Sequence, residues 1–139
     1  MPSGNNPPAG YLAFDTSAYS QLRRGHNTVL RWLAAAERVD VCTVVIGELE
    51  AGFRLGARYS ENMATLQDFL AEPFVFSQPI TQPVSGLYGK LFAELRKNGT
   101  PIPTNDIWIA AAAAQAGAHL VTFDTDFRRV GGLAHTVLD

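Results

Sequence analysis

The chain has 139 residues, 47% hydrophobic and 17% charged, with a formal net charge of -2. That length supports one domain with a real core, and the balance excludes a disordered chain. The lack of a basic excess argues against tight, purely electrostatic nucleic-acid binding, but not against an enzyme that meets a phosphodiester through metal ions.

The opening residues 1–10 are rich in Pro, Gly and Asn and lack the apolar h-region of a signal peptide. They read as a flexible leader or a mis-assigned start, with the folded domain over 11–139. Tyr11-Leu12-Ala13-Phe14-Asp15 is a short apolar run ending in an acid, the pattern of a buried strand whose carboxyl end presents Asp15. Thr16 and Ser17 then start a helix, which Arg23-Arg24-Gly25 breaks. A second helix is expected over 27–38, with Val29, Leu30, Trp32, Leu33 and Ala36 as its apolar stripe. Residues 39–43 are β-branched and form the second strand. Its apolar run holds Cys42, the one cysteine. Cys42 reads as a buried thiol, and a chain with no internal disulfide suits a reducing cytoplasm.

A third helix is expected from residue 44 to about residue 59, with Leu49, Phe53 and Leu55 or Ala57 toward the core. Glu48 and Glu50 lie about 200° apart on it, so only one can serve a given site. Glu48 is nearer the strand end and is the better candidate. Gly47 and Gly52 within this helix suggest close packing, since each costs about 1 kcal/mol against Ala. Residues 60–71 form an amphipathic helix with Ser60 as N-cap, and Pro73 ends it. Residues 74–76 give a third strand. A long helix spans 81–98, burying Leu87, Leu91, Phe92 and Leu95, with Asn98-Gly99 as its stop.

Pro101 and Pro103 enforce an extended approach to the next helix, which Thr104 or Asn105 caps and whose first turn holds Asp106. Ala110 to Ala114 makes this helix slim enough to lie close against a sheet. Residues 119–122 form the fourth strand, Asp124-Thr125-Asp126 turns the chain, and residues 135–138 give a fifth, edge strand. His26, His119 and His135 show no zinc spacing, and no apolar run is long enough to span a bilayer, so no membrane contact is expected. Alternating strands and helices argue for a three-layer α/β/α domain on a mostly parallel sheet of about five strands.

Each acid has an ordinary reading: Asp15 as an N-cap, Glu48 as a solvated helix residue, Asp106 as a helix-dipole partner, Asp124 and Asp126 as turn formers. Jointly they say more. Acids follow three of the strands, and Asp106 opens the helix before the last of these. In a parallel sheet those positions share one edge. Two carboxylates 4 Å apart repel by about 4 kcal/mol at an effective dielectric near 20, which a hard cation relieves. Oxygen ligands without Cys or His suit Mg²⁺ or Mn²⁺, and the chemistry that follows is phosphodiester hydrolysis by metal-activated water. No G-x-S-x-G elbow, Walker A loop or G-x-G-x-x-G follows a strand, so acyl transfer and nucleotide-cofactor chemistry are disfavoured.

Four motifs in order, Phe14-Asp15-Thr16-Ser17, Gly47-Glu48-Leu49, Ile102-Pro103-Thr104-Asn105-Asp106-Ile107-Trp108 and Thr122-Phe123-Asp124-Thr125-Asp126-Phe127, resemble a PIN-domain ribonuclease. The likeness is specifically to the toxin of the VapBC type of toxin–antitoxin pairs. It implies a Rossmann-like PIN fold, a homodimer, and a metal-dependent endoribonuclease of the cytoplasm cutting transfer or ribosomal RNA. It implies Asp15, Glu48, Asp106 and Asp124 as catalytic acids, with Asp15, Asp106, Asp124 and Asp126 as ligands for Mg²⁺ or Mn²⁺. Thr122, Thr16 and Asn105 would support and orient those carboxylates. Arg23, Arg24, Arg54, Arg58, Arg128 and Arg129 flank the acid-bearing segments and are candidates to hold RNA phosphates. A cognate VapB-type antitoxin would cover apolar faces of the first helices. Two alternatives remain: a PIN nuclease of RNA processing without an antitoxin, and a non-catalytic PIN binding module, whose mark would be a lost acid.

Overall fold

Four β-branched or apolar runs of four or five residues, each followed by a helical segment, favour parallel pairing. The computed structural model, which describes residues 6–139, has this arrangement. Of the leader expected over 1–10, residues 1–5 lie outside the described residues. The strands are β1 Tyr11–Phe14, β2 Arg38–Cys42, β3 Val75–Gln78, β4 His119–Thr122 and β5 His135–Val137. They form one sheet in the order β3-β2-β1-β4-β5, and every pairing is parallel. The helices are α1 Thr16–Arg23, α2 Asn27–Ala35, α3 Thr43–Leu55, α4 Tyr59–Leu70, α5 Gln82–Lys97 and α6 Thr104–Ala116. A short 3-10 helix, Thr125–Arg129, lies between β4 and β5.

The pleat sorts the core. Leu12, Phe14, Val39 and Val41 are fully buried, and Phe14 stacks on Phe69 of α4, on the side that α1 also covers. Ala13 and Cys42 take the alternate positions toward α6, where Gln78 Nε2 donates to the Ala112 carbonyl at 2.9 Å. Ala110, Ala111, Ala112 and Ala113 are all buried, so α6 lies directly on the sheet and α5 packs outside it. Trp32 is a core residue. Gly117 ends α6 in the left-handed region at φ 64°, which favours glycine.

Several boundaries differ from the sequence reading. α2 stops at Ala35 rather than at 38, because Arg38 pairs with Tyr11 in the sheet. The helix expected from 44 to 59 ends at Leu55, where Gly56 turns extended, and α4 begins at Tyr59 with Arg58 rather than Ser60 at its N-cap position. Leu55 is 91% exposed, since it sits at the open tip of α3. Gly47 and Gly52 meet nothing within 4 Å of where a Cβ would stand, so close packing does not explain them. β3 runs to Gln78, because the ladder to β2 continues through Cys42. On α5 the fully buried residues are Val84 and Leu95, while Leu87, Leu91 and Phe92 are half-buried against α6 and the core. Pro103, not Thr104 or Asn105, holds the N-cap position of α6, leaving Asn105 free to reach elsewhere.

Candidate active site

Parallel strands deliver their carboxyl ends to one edge, and the strand order reverses between β1 and β4, where such sheets hold their sites. Asp15 follows β1 there and Asp124 follows β4. Asp15 caps α1, accepting from the Ala18 amide at 2.8 Å and the Ser17 hydroxyl at 2.7 Å on Oδ1. Its Oδ2 accepts from Thr122 Oγ1 at 2.5 Å. Asp15 is 4% exposed, and burial raises its carboxyl above the ordinary range, while the bonds from Thr122, Ser17 and Ala18 work the other way. The capping reading and the site reading of Asp15 therefore describe the same side chain.

The same hydroxyls sew β4 to β1. Thr122 Oγ1 accepts from the Asp124 amide at 3.0 Å, and Ser17 Oγ accepts from the Phe123 amide at 2.9 Å. Asp124 Oδ1 accepts from the Asp126 amide at 2.9 Å, which starts the 3-10 helix and turns both acids toward the sheet edge. By residue type Ser17 is a helix starter, and the structure gives it a further part. Its place in the Asp-Thr-Ser run was the available signal, but its bond to Phe123 spans 106 positions and no local pattern encodes it.

Glu48 is half-buried and held by two donors, Thr16 Oγ1 at 2.6 Å and Asn105 Nδ2 at 3.1 Å. Thr16, Asn105 and Thr122 all bond acids of this edge. Glu50 is turned away, bonded to Arg54 and Tyr59.

Asp106, Asp124 and Asp126 each offer a carboxylate oxygen, and these atoms lie within 4.8 Å of one another. Asp15 and Glu48 stand outside that trio. Burial, then the charges of Asp124, Glu48, Asp126 and Asp15, push the Asp106 carboxyl up to about 7. Among the described residues no arginine or lysine pairs with any of the five acids. Three convergent oxygen donors, with no sulfur or imidazole among them, fit a hard divalent cation.

The arginines divide. Arg54 donates to Glu50 and Tyr59, Arg23 lies over the Tyr19 and Phe69 rings, and Arg129 Nη1 donates to the Pro101 carbonyl at 2.9 Å. Arg24, Arg58 and Arg128 are exposed.

Against known proteins, residues 12–133 match the model of the PIN domain family. Ribonuclease VapC5 of Mycobacterium tuberculosis is 29% identical over 131 residues, covering 92% of each chain. A solved member of the VapBC family of toxin–antitoxin systems, VapBC-5 from the same organism, matches with a TM-score of 0.69 at 26% identity, over 94% of this chain and 98% of that one. VapBC2 from Rickettsia felis, solved bound to a DNA fragment from its promoter, has a TM-score of 0.81 at 23% identity, over 94% and 99%, a likeness of fold.

Proposed function

This chain belongs to the PIN-domain family, and from that membership we propose that it is the endoribonuclease toxin of a type II toxin–antitoxin pair, dependent on Mg²⁺ or Mn²⁺. The observation that carries the metal reading is the convergence of Asp106, Asp124 and Asp126, with no arginine or lysine of the described residues paired to them. A named ribonuclease aligned over 92% of the chain supports RNA as the substrate. A toxin–antitoxin relative aligned over 94% of the chain supports an antitoxin partner.

In this reading Asp106, Asp124 and Asp126 would hold the cation, which when bound would supply positive charge against the scissile phosphate and lower the pKa of a water for attack. The protein's own part is placement. Asp15, the further ligand the resemblance implies, stands beside the trio rather than in it, and it fixes the β4 turn through Thr122 and Ser17. Glu48, locked by Thr16 and Asn105, orients water at the edge of the trio and is the group assigned to take its proton. Exposed Arg24, Arg58 and Arg128 draw RNA phosphates toward the acids. The antitoxin would cover the groove between α1, α3 and α4, lined by Tyr19, Leu49 and Phe53. The domain runs over 11–139, acts as a homodimer and works in the cytoplasm, where its single thiol needs no partner. Among the described residues no helix is long and apolar enough to cross a membrane.

The test is cleavage of transfer-RNA and ribosomal-RNA pools by the purified chain with Mg²⁺ or Mn²⁺. Discrete cuts are expected, lost with EDTA and in Asp106→Asn. Equal cutting by Asp106→Asn would assign the activity to a contaminant. Inhibition by the product of an adjacent small gene separates the toxin from an RNA-processing nuclease.

A further inference from the structure

We propose that Arg129 is a positioning residue that straps the two acid-bearing segments together, and not an RNA contact. The proposal rests on the metal reading above. Asp106 stands on α6, whereas Asp124 and Asp126 stand on the turn after β4. Their carboxylates repel, and that repulsion acts to part the start of α6 from the 3-10 helix. The buried face of α6 seats it on the sheet, and a tie at its start adds to that hold against the repulsion.

The segment before α6 has few means of attachment. Pro101 and Pro103 have no N–H, so neither can donate to the turn. Ile102 is buried, and the Pro103 carbonyl is taken by the Asp106 and Ile107 amides. The Pro101 carbonyl accepts from Arg129 Nη1 at 2.9 Å across 28 positions, a tie from this segment to the turn. At the other end of the strap, Arg129 is the last residue of the 3-10 helix that Asp124 caps, and this helix is anchored by fully buried Phe127 and rests on β5. A single charge-assisted bond from one guanidinium N–H to a carbonyl thus joins the two halves of the carboxylate trio from outside. Neighbouring Arg128 is also exposed, and its charge is the one offered to solvent.

The experiment compares the full-length wild type with Arg129→Ala, Arg129→Lys and Arg128→Ala, each checked for fold by circular dichroism. Mn²⁺ binding is read by calorimetry and electron paramagnetic resonance without RNA. RNA affinity is read against salt in Ca²⁺. A loss of one charge-assisted bond predicts Mn²⁺ affinity weakened about three- to tenfold in Arg129→Ala. Arg129→Lys keeps the charge but places its ammonium at a different reach and direction from Nη1, so it should recover only part of that loss. Neither should change the salt slope of RNA binding, whereas Arg128→Ala should reduce it by about one contact. Unchanged Mn²⁺ binding in Arg129→Ala overturns the strap. So does a salt slope reduced in Arg129→Ala and restored in Arg129→Lys, the mark of a phosphate contact. A wild type that binds no Mn²⁺ overturns the metal reading itself, and is thereby told apart from failure of the strap alone.

Discussion

Thr16 Oγ1 donates to Glu48 Oε1 at 2.6 Å, joining the first turn of α1 to the middle of α3 across 32 positions. Thr16 follows the buried Asp15, so one dipeptide serves two acids: Asp15 fixes the turn after β4, and Thr16 fixes Glu48. Asn105 completes the second grip at 3.1 Å from Oε2. Removing the hydroxyl frees half of Glu48 without touching the trio. Thr16→Val is expected to lower kcat about tenfold, with Mn²⁺ affinity nearly unchanged, and Thr16→Ser to restore most of it. Single-turnover cleavage alongside calorimetry checks this. An equal fall in metal affinity would place Glu48 among the ligands instead.

The Asp106 carboxyl, raised to about 7, links stability to pH. A folded-state value above the unfolded one means the native state binds the extra proton, so this group's contribution is present below about pH 4 and lost as pH rises to about 7. The full shift corresponds to about 4 kcal/mol, and half-burial with solvent screening reduces it to about 1–2 kcal/mol. In EDTA, the wild-type Tm should fall across that window. Asp106→Asn should flatten the fall and be the more stable protein at pH 8. Adding Mn²⁺ at pH 8 should raise the Tm of the wild type and leave that of Asp106→Asn where it was. Thermal denaturation at stepped pH decides, and a Tm of wild type independent of pH between 4 and 7 would sink the assignment.

Ser17 carries one hydroxyl with two duties, donating to Asp15 and accepting from the Phe123 amide. Ser17→Ala leaves a half-buried amide short of a partner and should cost about 1–2 kcal/mol of stability. The turn bearing Asp124 loosens with it, so Mn²⁺ binding should weaken as well. Urea unfolding and calorimetry on the same preparation measure both. Loss of stability with metal binding intact would make Ser17 a purely structural residue.

A second ion pair lies away from the acids. Asp40 is 1% exposed in β2 and pairs with Arg38 at 2.7 Å, with its Oδ2 lacking a partner among the described residues. Arg38 also stacks over the Tyr11 and Phe76 rings. Arg38→Met would strand a buried carboxylate and should destabilise by about 2–3 kcal/mol, less than a fully buried pair because Arg38 is partly solvated. Adding Asp40→Asn to that variant should recover at least half of the loss. A double-mutant cycle in urea measures it; additive losses would deny the coupling.

Much was legible beforehand because its causes are local. Alternation of β-branched runs with helical stripes sets the elements, and a parallel sheet then brings Asp15, Glu48, Asp106 and Asp124 to one edge. Boundaries fared worse where a tertiary bond outweighed local preference. Arg38 left a helix pattern for the sheet, and Ser60 did not cap α4 although its residue type favours it. Close packing at Gly47 and Gly52 was inferred from helix propensity alone, and the space around them is open.

The sequence by itself determined which acids exist, in what order, and that their strands end together, since periodicity and residue type act over a few positions. Only the tertiary structure decided which oxygens come within 4.8 Å of one another, that Thr16 and Asn105 both hold Glu48, that Ser17 and Thr122 both hold Asp15, and that Arg129 turns to Pro101. Most of those contacts join residues 28 to 107 positions apart. A hydrogen bond requires its atoms within about 3 Å, and only the packed sheet and helices bring such distant residues that close.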